Sequence, residues 1–145
     1  MSNIKLSSRH NRIKPSATIQ MAKLSRKLIS EGKDIINMSM GMPDFNTPEH
    51  IKNAGINAIN DYFTFYPPVA GYPDLKEAIS NKFKRENILD FSSENIVVSP
   101  GAKLSVANVL LSILDREDEI LIPAPFWVSY TGIVNLVGAK EVIIP

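Results

Sequence analysis

Two short loops hold the residues best suited to chemistry. The first is Ser99-Pro100-Gly101-Ala102-Lys103, between a β-branched run and an apolar helical run. Glycine lets a backbone approach a ligand closely. The free N–H groups at a helix start, with the helix dipole, favour an anion such as phosphate. Lys103 adds a positive charge there. The loop has the glycine spacing of neither nucleotide fingerprint, so it reads as an anion cradle or as an ordinary tight turn. The second loop is Pro123-Ala124-Pro125-Phe126-Trp127-Val128-Ser129-Tyr130, which holds the one tryptophan of the chain. Its flat ring either stacks on a planar ligand or fills the core. An anion cradle beside an aromatic platform suits a phosphorylated aromatic compound better than a bare phosphate.

Other catalytic templates fail. His10 and His50 are the only histidines and there is no cysteine, which argues against zinc. No G-x-S-x-G elbow occurs, and no histidine is placed for a serine triad. Asp115-Arg116-Glu117-Asp118 reads as a charged turn rather than a carboxylate pair. His50 falls in the first turn of a helix and is expected to face solvent.

The elements that must position the two loops follow from pattern. Asn95 to Ser99 reads as a strand, Ala102 to Leu114 as a helix apolar almost all round, and Glu119 to Pro123 as a strand. Phe126 to Val137 reads as a helix stopped by Gly138, and Lys140 to Ile144 as a last strand. This β-α-β-α-β order predicts an α/β fold with a parallel sheet covered on both faces. Loops after adjacent parallel strands lie at the same sheet edge, where such sheets bind ligands.

Upstream, Pro15 and Ser16 open a helix to about Glu31, with Met21, Leu24 and Leu28 on one face and Gly32 as its stop. A short strand is expected over 34–38. Thr47 then serves as an N-cap and Pro48 as the first helical residue. Ile51, Ala54, Gly55 and Ala58 form that helix's inner face, with Gly55 marking close backbone packing. Residues 60–71 are irregular, stiffened by Pro67-Pro68, and their aromatic and apolar side chains call for cover. That cover is either their own domain or another subunit. Pro73 starts a further helix with Leu75, Ala78, Ile79 and Phe83 on one stripe, and Lys76, Lys82, Lys84 and Arg85 on a solvated side.

The 145 residues, 44% hydrophobic and 21% charged, exclude a disordered tail, a fibrous repeat and a disulfide scaffold. No apolar run reaches the roughly 18–20 residues of a membrane span, and a net charge of +1 gives no mandate for nucleic acid. Charge is uneven. Lys5, Arg9, Arg12, Lys14, Lys23, Arg26 and Lys27 stand in residues 1–30 without one acid. Such a stretch is either a transit peptide or a basic arm and helix face.

Together these segments resemble the N-terminal part of the fold-type-I aminotransferases that use pyridoxal phosphate, in the aspartate/prephenate branch. The resemblance covers essentially the whole chain. It is carried by Lys14-Pro15-Ser16-Ala17-Thr18, Gly41-Met42-Pro43-Asp44-Phe45 with Thr47-Pro48-Glu49-His50, and Tyr66-Pro67-Pro68-Val69-Ala70-Gly71 with Pro73-Asp74-Leu75. Gly101-Ala102-Lys103 and Pro125-Phe126-Trp127-Val128-Ser129-Tyr130 complete it.

The resemblance implies an arm over 1–14, a small-domain segment over 15–45, and over 46–145 the first part of the cofactor-binding large domain, a mostly parallel sheet with flanking helices. It implies that Gly101, Ala102 and Lys103 hold the phosphate of pyridoxal 5'-phosphate, that Trp127 stacks on its ring, and that Tyr66 reaches the phosphate of the other subunit's cofactor. Substrate binding would fall to Gly41 at the α-carboxylate, Lys103 at a distal carboxylate, Trp127, and Lys14, Ser16 and Thr18 in a segment that closes over the substrate. The basic N-terminus then reads as mature protein.

Transfer of an amino group between an aspartate- or glutamate-type amino acid and a 2-oxo acid is the implied reaction. A cytoplasmic homodimer without nucleic-acid or membrane partners is the implied setting. Departures are Met42 where the family usually has glutamate, Phe126 where it often has tyrosine, and Pro100 where asparagine is frequent. No lysine here matches the family's Schiff-base lysine, so the chain is expected to be a fragment, inactive alone. The alternative is an assembly fragment that pairs with a full-length or complementary chain. A nucleotide-binding domain ranks last, lacking the glycine spacing and a ribose-binding acid.

Overall fold

A computed structural model describes residues 4–145. The chain forms two compact units. One joins the described residues up to Met42 with Lys103–Pro145, and the other is Pro43–Ala102.

The first unit begins with α1 (Ser8–Arg12) and α2 (Ala17–Ser30). Ser7 caps α1, its hydroxyl accepting from the Arg9 N–H at 3.3 Å. Gly32, at φ +79°, follows the end of α2. The expected stripe of α2 is only half right. Ala22 and Ser25 are its buried residues, while Met21, Leu24 and Leu28 wall a shallow groove with Ile35, Ile36 and Met38. No strand forms over 34–38, because the chain there meets no ladder partner among the described residues.

The same unit continues, from Lys103 on, with α5 (Ala102–Ile113), β1 (Glu119–Pro123), α6 (Ser129–Val137) and β2 (Lys140–Ile144). β1 and β2 pair in parallel, Glu119 opposite Lys140 and Pro123 opposite Ile144. A parallel pair needs a crossover, and α6 supplies it. An ion pair between Lys140 and Glu119 joins the strand starts. Gly138 ends α6 at φ +99°, a conformation that strains other residues.

The core of this unit gathers Leu110 from α5, Ile122 from β1, Ile133 and Val134 from α6, and Ala139. Val134 is fully buried. Val106, Ala107, Leu114, Ile120, Phe126 and Val137 pack around them. One face of the sheet is therefore covered by helices. Leu121 points to the other face and is 63% exposed, so the expectation of cover on both faces is not met within the described residues. Likewise α5 buries a stripe rather than its whole girth, since Val109, Leu111 and Ile113 are exposed.

The second unit holds α3 (Glu49–Asn60), α4 (Pro73–Lys82), a π-helical turn at Phe83–Asn87 and a 3-10 turn at Ser93–Asn95. α3 starts one residue later than expected, with Pro48 at the cap position. A Cβ on Gly55 would meet nothing within 4 Å, so close packing at that glycine is not observed. Of the strand expected over 95–99, Asn95 belongs to the 3-10 turn and residues 96–99 have no ladder. The Val98 N–H donates to the Ala70 carbonyl at 2.9 Å. Gly71 is required at that crossing. Its φ is +103°, and a Cβ there would stand 2.6 Å from Val98 Cγ2. Among the described residues no helix is long and apolar enough to cross a membrane.

Candidate functional site

Within the first unit, the segment from Arg12 to Ile19, the Met40-Gly41 turn, the head of α5 and α6 surround a cleft of about 1010 Å³. Six residues singled out from sequence line it: Lys14, Ser16, Thr18, Gly41, Lys103 and Trp127. They come from four separate stretches of chain. Ser16 precedes α2, its carbonyl accepting from the Gln20 N–H at 3.1 Å, so Lys14, Pro15 and Ser16 form the lead into a helix. Gly41 lies in the irregular segment after α2, and Lys103 in the first turn of α5.

Trp127 stands between β1 and α6, in a turn whose Ala124–Pro125 peptide is cis. It is 43% exposed, so the core reading does not hold and its indole is open to a ligand. Tyr130 supports it edge-to-face, ring centroids 5.6 Å apart and planes at 85°. Lys103 Nζ sits over the indole, 5.0 Å from the centroid. A cation over a ring face is attracted by the ring quadrupole. The two loops that sequence placed at one sheet edge therefore meet through these side chains.

The charge of the cleft is mainly positive. Arg12, Lys14 and Lys103 line it, against the single carboxylate of Glu141. Like charges along a concave wall focus a field that draws in the opposite sign. An anion is thus the favoured guest, and a flat one gains the indole face as well.

Tyr66, Gly101 and Ala102 belong to the second unit. Tyr66 is wholly exposed, as is Val69. Gly101 takes φ +91° with open space where a Cβ would stand, and Ala102 is the first residue of α5. The first N–H groups of a 12-residue helix lack intrahelical partners, which suits a phosphate. Within the first unit, the Trp127 ring face and the Lys103 ammonium at the head of α5 are groups that a phosphorylated pyridine can use, so these residues fit pyridoxal 5'-phosphate.

Sequence reasoning did not single out Arg12, Asn135 or Glu141 as site residues, although all three line the cleft. Arg12 bonds the backbone of α6 across 123 positions of chain. No periodicity reports a contact of that range. Its charge was visible only as part of a basic stretch.

The chain matches the family model for aminotransferase class I and II over residues 33–145. It is 49% identical to an aspartate/prephenate aminotransferase from Nitrosomonas europaea, over 97% of this chain and 36% of that protein. It is 44% identical to a bifunctional aspartate aminotransferase and glutamate/aspartate-prephenate aminotransferase from Petunia hybrida, over 99% of this chain and 30% of that protein. Among solved structures, the aspartate aminotransferase from Thermus thermophilus with maleate superposes with a TM-score of 0.92 at 39% identity, over 97% of this chain and 37% of that one. The chain spans about a third of the length of the curated relatives it matches. A cationic cleft with an aromatic wall, built from segments that match these enzymes along nearly all of the chain, carries one conclusion: the chain belongs to the class I and II aminotransferases.

Proposed function

We propose that this chain provides part of the cofactor and substrate site of a pyridoxal-phosphate-dependent aminotransferase acting on dicarboxylic amino acids and their 2-oxo acids. The observation that carries the reading is the common cleft of Lys103 and Trp127 with Lys14, Ser16, Thr18 and Gly41. When bound, pyridoxal 5'-phosphate supplies the carbonyl that accepts the amino group and the ring that withdraws electrons from the substrate. The residues of this chain bind and orient. Gly101, Ala102 and Lys103 offer amides and a cation to phosphate, and Trp127 offers a ring face. Gly41 offers backbone to the substrate α-carboxylate. Lys103 offers its ammonium to a distal carboxylate, and Lys14, Ser16 and Thr18 cover the bound molecule and exclude water. The proton transfers belong to a lysine that no residue of this chain matches.

An acidic substrate is supported by relatives named for aspartate and prephenate and by a structural neighbour solved with maleate. Pairing with a second subunit is supported by Phe65, Tyr66 and Val69, which present exposed apolar and aromatic surface on a proline-stiffened loop. Titrating the chain with pyridoxal 5'-phosphate and, separately, with maleate tests the reading. Each ligand is expected to change Trp127 emission saturably, and Lys103→Ala to weaken both responses. Emission unmoved by either ligand at millimolar concentration would overturn the proposal.

A further inference from the structure

The segment from Arg12 that lines the cleft is bonded to α6 through the Arg12 guanidinium. Arg12 Nε donates to the Asn135 carbonyl at 3.0 Å, and its Nη2 donates to the Leu136 carbonyl at 3.1 Å. Both carbonyls lie in the last turn of α6, where helix geometry leaves carbonyls without partners. The neighbouring Val134 carbonyl is taken by the Gly138 N–H at 2.8 Å. Arg12 therefore fills two open acceptors with one planar fork, and its charge faces the negative end of the helix dipole. α6 has no basic residue of its own in that turn. Among the described residues no carboxylate pairs with Arg12, so the helix end is what holds it.

Gly138 leaves room for the fork. A Cβ there would stand 3.3 Å from the guanidinium atoms, in a backbone conformation at φ +99°. Beyond Arg12 the chain runs through Ile13, Lys14 and Pro15 to the Ser16 carbonyl that opens α2. The short linker is thus pinned at both ends and stiffened by proline. Its residues line the cleft.

We propose that Arg12 is a positioning residue for the cleft. By gripping the C-terminal carbonyls of α6 it holds Lys14, Ser16 and Thr18 over the bound anion, with Gly138 as the matching gap. The role rests on reading the cleft as an anion site, but the grip can be tested apart from that reading.

The test compares wild type, Arg12→Met and Arg12→Lys by hydrogen exchange and by maleate titration of Trp127 emission. Two bonds from a charged donor predict at least ~10-fold faster exchange in Arg12→Met of the His10, Ile13 and Gln20 amides, which are bonded to the Ser7, His10 and Ser16 carbonyls. Exchange in β1, β2 and α5 should stay unchanged. Maleate should bind several-fold more weakly, and Arg12→Lys, which keeps one donor and the charge, should fall between. If Arg12→Met does not fold, Arg12→Lys against wild type gives the same reading at smaller amplitude. Arm exchange that ignores the substitution overturns the grip. Faster arm exchange with undiminished maleate binding overturns the positioning role. A wild-type chain that binds no maleate overturns the proposed function and is read in a separate channel from the exchange.

Discussion

Replacing Lys103 with methionine separates its role at the indole from its role toward an acidic ligand. In the structure the ammonium lies 5.0 Å above the Trp127 ring. At an exposed site that contact contributes ~0.5–1 kcal/mol. A hydrogen bond from a charged donor to a carboxylate contributes ~1.5–3 kcal/mol net. A dicarboxylate that draws Lys103 off the ring exchanges the first for the second, a net gain of ~1–2 kcal/mol. Lys103→Met should therefore weaken maleate binding about 5- to 30-fold. A monocarboxylate of similar size with an aromatic tail should change less than about twofold, since it offers Lys103 no second carboxylate. The assay is calorimetric or fluorimetric titration of both ligands against wild type and variant. Equal losses for both would assign Lys103 to an anion common to all ligands and remove the reason for preferring an acidic substrate. Unchanged affinity for both would refute the reasoning entirely.

Gly71→Ala would force φ +103° on alanine and drive its Cβ to 2.6 Å from Val98 Cγ2, so urea unfolding should show a loss of ~1–3 kcal/mol; an unchanged midpoint would contradict the crossing. Val134→Ala removes buried methyl groups from the core of the first unit and should cost ~2 kcal/mol by the same measurement. Glu86, hydrogen-bonded by Lys82 and then by Arg85, is held below the usual carboxylate range. Its pairing is present above the pKa of the unfolded carboxylate and is lost as pH falls through the lowered folded value, so side-chain NMR should show it titrating below free glutamate, and a value at or above that would contradict the ion pairs. Leu111, Ile113, Leu121 and Phe65 are exposed together with other large apolar side chains, so light scattering should show association as concentration rises, and a sharp monomer throughout would contradict it.

Local signals read well where one element settles its own state. The helices from Ala17, from Pro73 and from Ala102, and the strands Glu119–Pro123 and Lys140–Ile144, follow from period, proline and glycine placement. The expected strands over 34–38 and 95–99 failed for a different reason. β-branched residues favour an extended backbone, but a strand also needs a ladder partner, which composition does not report. The apolar girth of α5 does not say which side is buried, since burial depends on what packs against each side. In the cleft, Trp127 was legible because ligands gather beyond the carboxyl ends of parallel strands, and Lys103 because it is a cation at the start of an apolar helix, although the strand expected before it has no ladder. Arg12 was not, because a guanidinium on a helix end leaves no trace in sequence spacing. Gly55 and Gly71 make the same point in opposite directions: one glycine has open space and the other a contact that allows no side chain.

The proposed function requires the cleft of the first unit to receive an anionic, planar ligand on Lys103 and Trp127. Amide and indole NMR of the labelled chain during maleate addition tests it most directly. Saturable shifts are expected, confined to Lys14, Ser16, Thr18, Gly41, Lys103 and the Trp127 indole N–H, which together line that cleft. Shifts that gather instead along the Met21, Leu24 and Ile36 groove, or no saturable shift at all, would contradict it.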